Sequence, residues 1–512
     1  MVACRATRPG AQAKEARKLV CSNLDGTERA RCDETPDKLA ALADAVRALD
    51  RLERGLIAEA LTGAGLRLTG TFAHSMNFRH PSGEPVQIVF DPEFDPMIDR
   101  AEPHDITGVR IRVVTTVDLI AMKERSKALR DPLDAARKLV PLIRSCADEI
   151  EAERELPRPL FEALADAGLF HLALPRALGC PELDLPTYVQ VIEEIGKADA
   201  STGWVVNQAA IFATYAARMP RDAARSIWID TPRGVVANTP APSATAVVVP
   251  GGYRVTGRQG FSTGCRHAAW LAAHAQIVEN GQLRLEANGQ PEQRYFFVPV
   301  AEAQLLDTWR VRGMRGTGTH HFAVNDVFVP EERTVRSVSA PLVETGPLYQ
   351  IPRTLLFASG DAAVALGVAR TCLATFFELA GAKTPRAMQA LLRDQSMIQV
   401  NVGQAEAHLR SGRAFLTEAV REIWTDVSST GTITLDQRAA LRLATTHAIR
   451  LAVQVVDTVY NAAGATAMYE ENLLQRHFQD IHVISQHLQG RLSHYELVGR
   501  HWLGLPVDET RL

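Results

Sequence analysis

The sequence is poor in the features that would place it at a membrane, on nucleic acid or in an oxidising compartment. No stretch of the 512 residues approaches the ~18 uninterrupted apolar residues of a membrane span, and the N-terminus lacks the apolar block of a secretory signal. Charge of either sign is not in excess: 56 Lys and Arg stand against 59 Asp and Glu, a formal net charge of −3, with no long run of one sign. Nucleic acid and anionic membrane are therefore not expected partners. The seven cysteines are odd in number, scattered and never spaced C-x-x-C, which argues against a disulfide framework and a zinc site. No Gly-x-Gly-x-x-Gly turn is present, so a nicotinamide dinucleotide is not expected to bind. What remains is an ordinary globular mix, 46% apolar and 22% charged, long enough for roughly three domains and expected to be cytoplasmic and metal-free.

Along the chain, residues 1–36 are polar and without apolar period and read as a flexible lead. Residues 37–130 read as a small α/β appendage: a helical stretch over 37–64, then strands in LRLTGTF, EPVQIVF and GVRIRVV. Its closing segment, TTVDLIAMKERSKALRDPLD, resembles the tail of nucleotidyltransferase-like domains. The Gly-Ser loop and paired acidic residues of that family are missing, which suggests a remnant that is dispensable for any cofactor bound later in the chain. From 131 to 232 the pattern is helical, with Pro157 and Pro159 opening one helix and Gly168 closing it. Residues 233–340 turn to short β-rich runs between Gly, Pro and Asn turns. Residues 341–512 carry four long apolar-periodic segments, about 354–382, 386–428, 435–465 and 470–500, the pattern of a four-helix bundle.

Helical block, β block and four-helix bundle, together with ALADAGLFHLALPRALGCPELDL, DASTGW at 199–204, YRVTGRQGFSTGCRHAAW at 253–270 and WRVRGMRGTGTHHFAVNDVFVPEE at 309–332, resemble the acyl-CoA dehydrogenase superfamily. Within it they are most similar to the flavin-dependent monooxygenase branch that contains the oxygenase component of 4-hydroxyphenylacetate hydroxylase. The resemblance implies a mainly α fold with a central β domain, a reduced FMN or FAD, O2, a separate NAD(P)H:flavin reductase, a small-molecule substrate and a homotetramer.

The resemblance implies that the segments around Trp204, around Phe261, Ser262, Thr263 and Gly264, and around Arg315, Gly316, Thr317, Gly318 and Thr319 lie against the flavin, with the Thr263 hydroxyl near N5. Read directly, Gly313, Gly316 and Gly318 let backbone N–H groups approach an anion, and Thr317 and Thr319 add hydroxyl donors, which suits a flavin phosphate or a ring edge. A tight turn would use the same glycines. Arg315 fits either an exposed turn cation or a phosphate partner, Phe261 fits core packing as well as a cofactor wall, and Thr263 is also simply a good strand residue.

In the last segment, LLQRHFQDIHVISQHLQGRLSHYELVGRH, a continuous helix at ~100° per residue would set Arg476, Asp480 and His487 within about 40° of one another. His477, His482 and His487 would diverge, which disfavours a three-histidine metal site. Where acyl-CoA dehydrogenases carry Tyr-Glu-Gly-Thr, this sequence has His487 and Leu488, so the glutamate base is missing; Glu470 or Glu471 could replace it. The resemblance implies His487 as the catalytic histidine, with Asp480 setting its orientation. The expected function is hydroxylation of a small aromatic substrate, the alternatives being an acyl-CoA dehydrogenase-type flavoprotein and a non-catalytic binding protein.

Overall fold

The computed structural model describes residues 131–512 apart from 339 and, ahead of them, positions 62 and 65 and five strands between 67 and 113. The chain divides into two compact units, Met1–Ser126 and Lys127–Leu512. In the first, β1 (Arg67–Thr71), β2 (Ser75–Arg79) and β3 (Pro85–Val89) form an antiparallel meander, and β4 (Glu102–Ile106) pairs with β5 (Val109–Val113). The three strands expected from sequence are β1, β3 and β5. The strands β2 and β4 escaped notice because SMNFR and EPHDI carry little β signal, and their ladders with β1, β3 and β5 supply what their composition does not. The lead at 1–36, the helix expected over 37–64 apart from Thr62, and residues 114–130 lie outside the described residues.

The second unit opens with α1 (Pro132–Ser145), α2 (Ala147–Glu153), α3 (Arg158–Asp166), α4 (Leu185–Ala198), α5 (Ala200–Phe212) and α6 (Arg221–Trp228). Aspartates start three of them: Asp131, Asp184 and Asp199 accept from the backbone N–H groups of Asp134, Thr187 and Thr202 at 3.0, 2.8 and 2.6 Å. Helix α5 is buried on almost every face, because it runs between α4, the bundle and the sheet.

The sheet domain comprises β6 (Val236–Asn238), β7 (Ala244–Val249), β8 (Gly252–Ser262), β9 (Trp270–Glu279), β10 (Gln282–Leu283), β11 (Gln293–Pro299), β12 (Gln304–Leu306), β13 (His320–Pro330) and β14 (Thr334–Arg336). Their order is β12-β13-β8-β7-β9-β11-β14, with β6 and β10 also on β9. The antiparallel β8–β13 pair sets Ser262, the last residue of β8, opposite His320, the first of β13. The residues just outside these two ends, Thr263 and Thr319, thus emerge side by side although far apart in sequence.

The short α7 (Pro347–Gln350) leads into the bundle: α8 (Arg353–Ala382), α9 (Ser396–Thr430), α10 (Leu435–Ala463), α11 (Leu473–Gln486) and α12 (Ser493–Trp502). Helix α8 is long and apolar enough to span a membrane, yet it is the buried centre of the bundle, packed by α4, α5, α9, α10 and α11. The fourth segment is not the single helix expected over 470–500. It ends at Gln486, His487 is extended at φ −62° and ψ 152°, and a turn at 488–490 precedes α12. The break is held from outside: Arg450 of α10 donates to the Ser485 carbonyl at 3.3 Å and to the Gly490 carbonyl. These are helix-terminal acceptors that would otherwise go unpaired.

Candidate active site

The β-domain wall grows from the β8 and β13 ends. Thr263 Oγ1 lies 3.1 Å from Thr319 Oγ1, which lies 2.7 Å from Thr317 Oγ1, and Thr317 Oγ1 donates to the Met314 carbonyl at 2.8 Å. Gly264 N–H donates to the Thr317 carbonyl at 2.9 Å, tying the two strand ends together. Met314, left-handed at φ 54°, is in turn fixed by its N–H, which donates to Asp480 Oδ1 at 2.6 Å.

The glycines of this loop serve packing. A Cβ on Gly316 would stand 2.0 Å from Ile150 Cγ2 and 3.0 Å from Ser201 Cβ, and one on Gly313 would stand 2.3 Å from the Gln479 carbonyl oxygen. Some donors of the loop are committed within the chain. The Met314 N–H belongs to Asp480, and Arg315 donates through Nε to the Glu151 carbonyl at 3.0 Å and through Nη1 to the Val311 carbonyl at 3.2 Å. Phe261, for which core packing and a cofactor wall were both open, is not in the core: it is 60% exposed and left-handed at φ 59°, with its ring 6.3 Å from that of Trp309. Ser262 is buried, and its hydroxyl has no partner.

The helical wall is built from α5, α8 and the end of α11. Trp204 is buried on α5 and meets the His487 ring edge-on at 5.0 Å and 88°. His487 Nδ1 is 3.0 Å from Asp361 Oδ2, the approach lying off the straight N–H···O line. Asp361 is fully enclosed in α8, where its other oxygen accepts from Asn207 Nδ2 at 2.8 Å and from Gln208 Nε2 at 3.4 Å. Behind it the Tyr188 hydroxyl donates to Asn207 Oδ1 at 2.6 Å. Burial raises the Asp361 carboxyl above the ordinary carboxylate range, and the neighbouring His487 and the amide donors oppose that rise. The two walls share α5: Val205 faces Gly264, Ser201 faces Gly316, and Trp204 touches His487.

Asp480 is therefore not the partner of His487. Because α11 ends before His487, the helix-wheel argument does not reach it, and Asp480 serves the opposite wall by holding Met314. Burial raises the Asp480 carboxyl well above its usual value, Glu151 and Asp199 push it the same way, and Arg476 opposes them. Among the described residues no group of His, Cys, Asp and Glu is arranged to hold a metal. Glu470 and Glu471 are exposed in the turn before α11. The residues that sequence reasoning missed are Asp361, Asn207 and Tyr188. A signal existed for the first: Asp361 is the one charge in TLLFASGDAAVALGVA, and a lone carboxylate inside an apolar helix must find polar partners.

A planar flavin ring fits what is present. The strand ends carry an orphaned buried hydroxyl at Ser262 and a half-buried one at Thr263, and the facing wall carries an indole and an imidazole. Helical block, sheet and bundle around such a site define a flavin-binding oxidoreductase of the acyl-CoA dehydrogenase fold. The chain belongs to the acyl-CoA dehydrogenase family, matching its N-terminal domain over residues 127–231 and its C-terminal domain over residues 359–491. It is 30% identical over 339 residues to the indole-3-acetate monooxygenase of Pseudomonas putida, an alignment covering 66% of this chain and 85% of that protein. The crystal structure of the HsaA monooxygenase from Mycobacterium tuberculosis superposes with a TM-score of 0.68 at 27% identity, covering 75% of this chain and 100% of that one. XiaF from Streptomyces sp., solved in complex with FADH2 and glycerol, gives a TM-score of 0.68 at 25% identity over 77% of this chain and 98% of its own. Within the family the chain stands with the oxygenase components of two-component flavin-dependent monooxygenases. Such components use reduced flavin from a separate reductase and act on a small molecule.

Proposed function

We propose that this oxygenase hydroxylates a small, electron-rich aromatic substrate, with FADH2 as its flavin and His487 as the group that handles the substrate proton. The observation that carries this reading is the His487 geometry: Nδ1 is buried against Asp361 and the ring edge meets Trp204, so Nε2 is the nitrogen left to face a substrate. Bound reduced flavin supplies two electrons that divide O2, one oxygen entering the substrate and the other leaving as water.

The protein's own part is orientation and proton transfer. Asp361 holds the imidazole with its Nδ1–H turned inward, which leaves the Nε2 lone pair to accept a hydrogen bond from a ring hydroxyl or ring N–H as that ring donates electrons. Trp204 closes the pocket beside it and keeps water out. Thr263 and the 313–319 loop meet the edge of the flavin ring. An aromatic substrate is supported by the indole-3-acetate monooxygenase relative, and FADH2 by the FADH2-bound neighbour. A homotetramer is part of the same reading, supported by apolar side chains left exposed on the bundle at Phe377, Met397 and Val400; a solution mass of one chain would contradict it.

The test is an anaerobic titration with FADH2 and with reduced FMN, followed by mixing with O2 and a phenolic or indolic substrate. Tighter binding of FADH2 and one hydroxylated product per flavin consumed are expected. Failure to bind either flavin, or reduction of bound flavin by an acyl-CoA without O2, would overturn the reading.

A further inference from the structure

The hydroxyls of Thr263, Thr319 and Thr317 have one proton each, and the structure fixes where all three go. Thr317 must donate to the Met314 carbonyl, because a carbonyl cannot donate. The 2.7 Å contact between Thr317 and Thr319 therefore uses the Thr319 proton. The 3.1 Å contact between Thr319 and Thr263 then uses the Thr263 proton. The ladder runs inward to one carbonyl, itself held by the Met314 N–H bond to Asp480. Thr317 and Thr319 are buried and Thr263 is half-buried, so the outermost hydroxyl presents only lone pairs to whatever lies against the strand ends.

We infer that this ladder makes Thr263 an obligate hydrogen-bond acceptor and so selects the redox state of the flavin. The inference rests on the placement of the flavin ring edge against Thr263 proposed above. N5 of a reduced flavin carries a hydrogen and can donate to Thr263. N5 of an oxidised flavin is a lone pair, and against a second lone pair it makes no bond and is repelled. Thr319 and Thr317 are then specificity-determining residues for the flavin, although Thr317 lies two hydroxyls away from it. Both were expected to be donors to the cofactor, and the ladder shows why they are not: their protons are spent within the chain.

The test is anaerobic measurement of the dissociation constants of oxidised and reduced FAD for the intact protein and for Thr319→Val, Thr317→Val, Thr319→Ser and Thr263→Val, with thermal melting to confirm that each is folded. Removing the Thr319 hydroxyl leaves the Thr263 proton free to turn outward. Removing the Thr317 hydroxyl lets Thr319 donate back to Thr263, with the same result. In both, the preference for reduced over oxidised flavin should fall about tenfold, the scale of one hydrogen bond gained by the wrong partner. The same change should lower the midpoint potential of the bound flavin by about 30 mV for a two-electron couple. Thr319→Ser restores the ladder and should keep the wild-type ratio. An unchanged ratio in both valine variants, with Thr263→Val altering either affinity, would overturn the ladder while leaving the flavin where it is proposed to be. No change in either affinity in any variant, Thr263→Val included, would overturn the placement of the flavin and the ladder with it.

Discussion

The two walls of the site hold their polar groups in opposite ways. On the β-domain side, neutral hydroxyls are tied in series to a backbone carbonyl, and the nearest carboxylate, Asp480, stands behind the loop and takes a backbone N–H. On the helical side stands an ionisable pair: His487 meets Trp204, and the buried Asp361 behind it is the end of a chain of amides and a phenol. A ladder of neutral groups can fix the direction of a hydrogen bond but holds its protons too tightly to move them near neutral pH. A carboxylate–imidazole pair can take up and return one. On the function proposed above, the walls divide cofactor recognition from proton handling, and each should be breakable without the other.

The largest effect belongs to the helical wall. His487→Ala should lower the rate of hydroxylation by ~10² to 10⁴, the usual value of a positioned general base, while FADH2 still binds. Reducing equivalents would then emerge as hydrogen peroxide, and the ratio of peroxide to hydroxylated product is the measurement. Asp361→Asn should move the same ratio in the same direction with a rate loss of about tenfold to a hundredfold, as expected for loss of a charge-assisted contact worth ~1.5–3 kcal/mol. Loss of flavin binding in either variant would merge the two walls into one function.

The same pair predicts how stability depends on pH. Burial raises the Asp361 carboxyl in the fold, so its contribution to stability is fully present below the unfolded value and is lost as pH rises through the raised one. Asp361→Asn should therefore flatten the loss of stability that sets in as pH rises above the ordinary carboxylate value of 3.8. His477 on α11 works the other way. It is buried with neither nitrogen partnered, and burial lowers it from 6.5 to about 4. Its contribution is present above the unfolded value and is lost as pH falls from 6.5 toward 4, an effect of about 3 kcal/mol. Melting of His477→Leu between pH 7 and pH 4 should show a shallower acid loss than the wild type, and an unchanged slope would remove His477 as a cause.

How much of this could be read from the sequence also divides along the two walls. The β-domain wall is local: Thr263 lies in one motif and Thr317 and Thr319 in another, and both motifs were visible as such. What the residues do there was less visible, since the direction of the ladder depends on the β8–β13 register, which brings Thr263 and Thr319 together from distant positions. The helical wall is non-local. Asp361 reaches His487 only when α8 packs against the end of α11, and nothing near Asp361 in the sequence names its partner. The end of α11 was equally hidden, because ISQHLQ contains no helix breaker and the break is imposed by Arg450 from α10. The exposure of Phe261 was hidden for a third reason: left-handed backbone is costly for an aromatic residue and is not assigned to one without the coordinates.

The smallest expected effects come from one glycine on each wall, and they separate the walls most cleanly. A Cβ on Gly360 would lie 1.9 Å from Asn207 Oδ1, and Asn207 cannot swing aside, because Tyr188 donates to that same oxygen and its amide donates to Asp361. A Cβ on Gly316 would lie 2.0 Å from Ile150 Cγ2, a buried methyl on α2 that can yield only by moving the loop away from α2 and α5. Overpacking of this kind costs ~1–3 kcal/mol, so Gly360→Ala and Gly316→Ala should lower the melting temperature by similar amounts. Their functional signatures should differ. Gly360→Ala displaces the amide that holds Asp361 and should raise the peroxide fraction with flavin affinity unchanged. Gly316→Ala shifts the loop that carries Thr317 and should weaken flavin binding with the peroxide fraction unchanged. The reverse assignment, or a shift of both quantities in both variants, would show that the walls do not act separately and that a single packing unit around α5 governs the whole site.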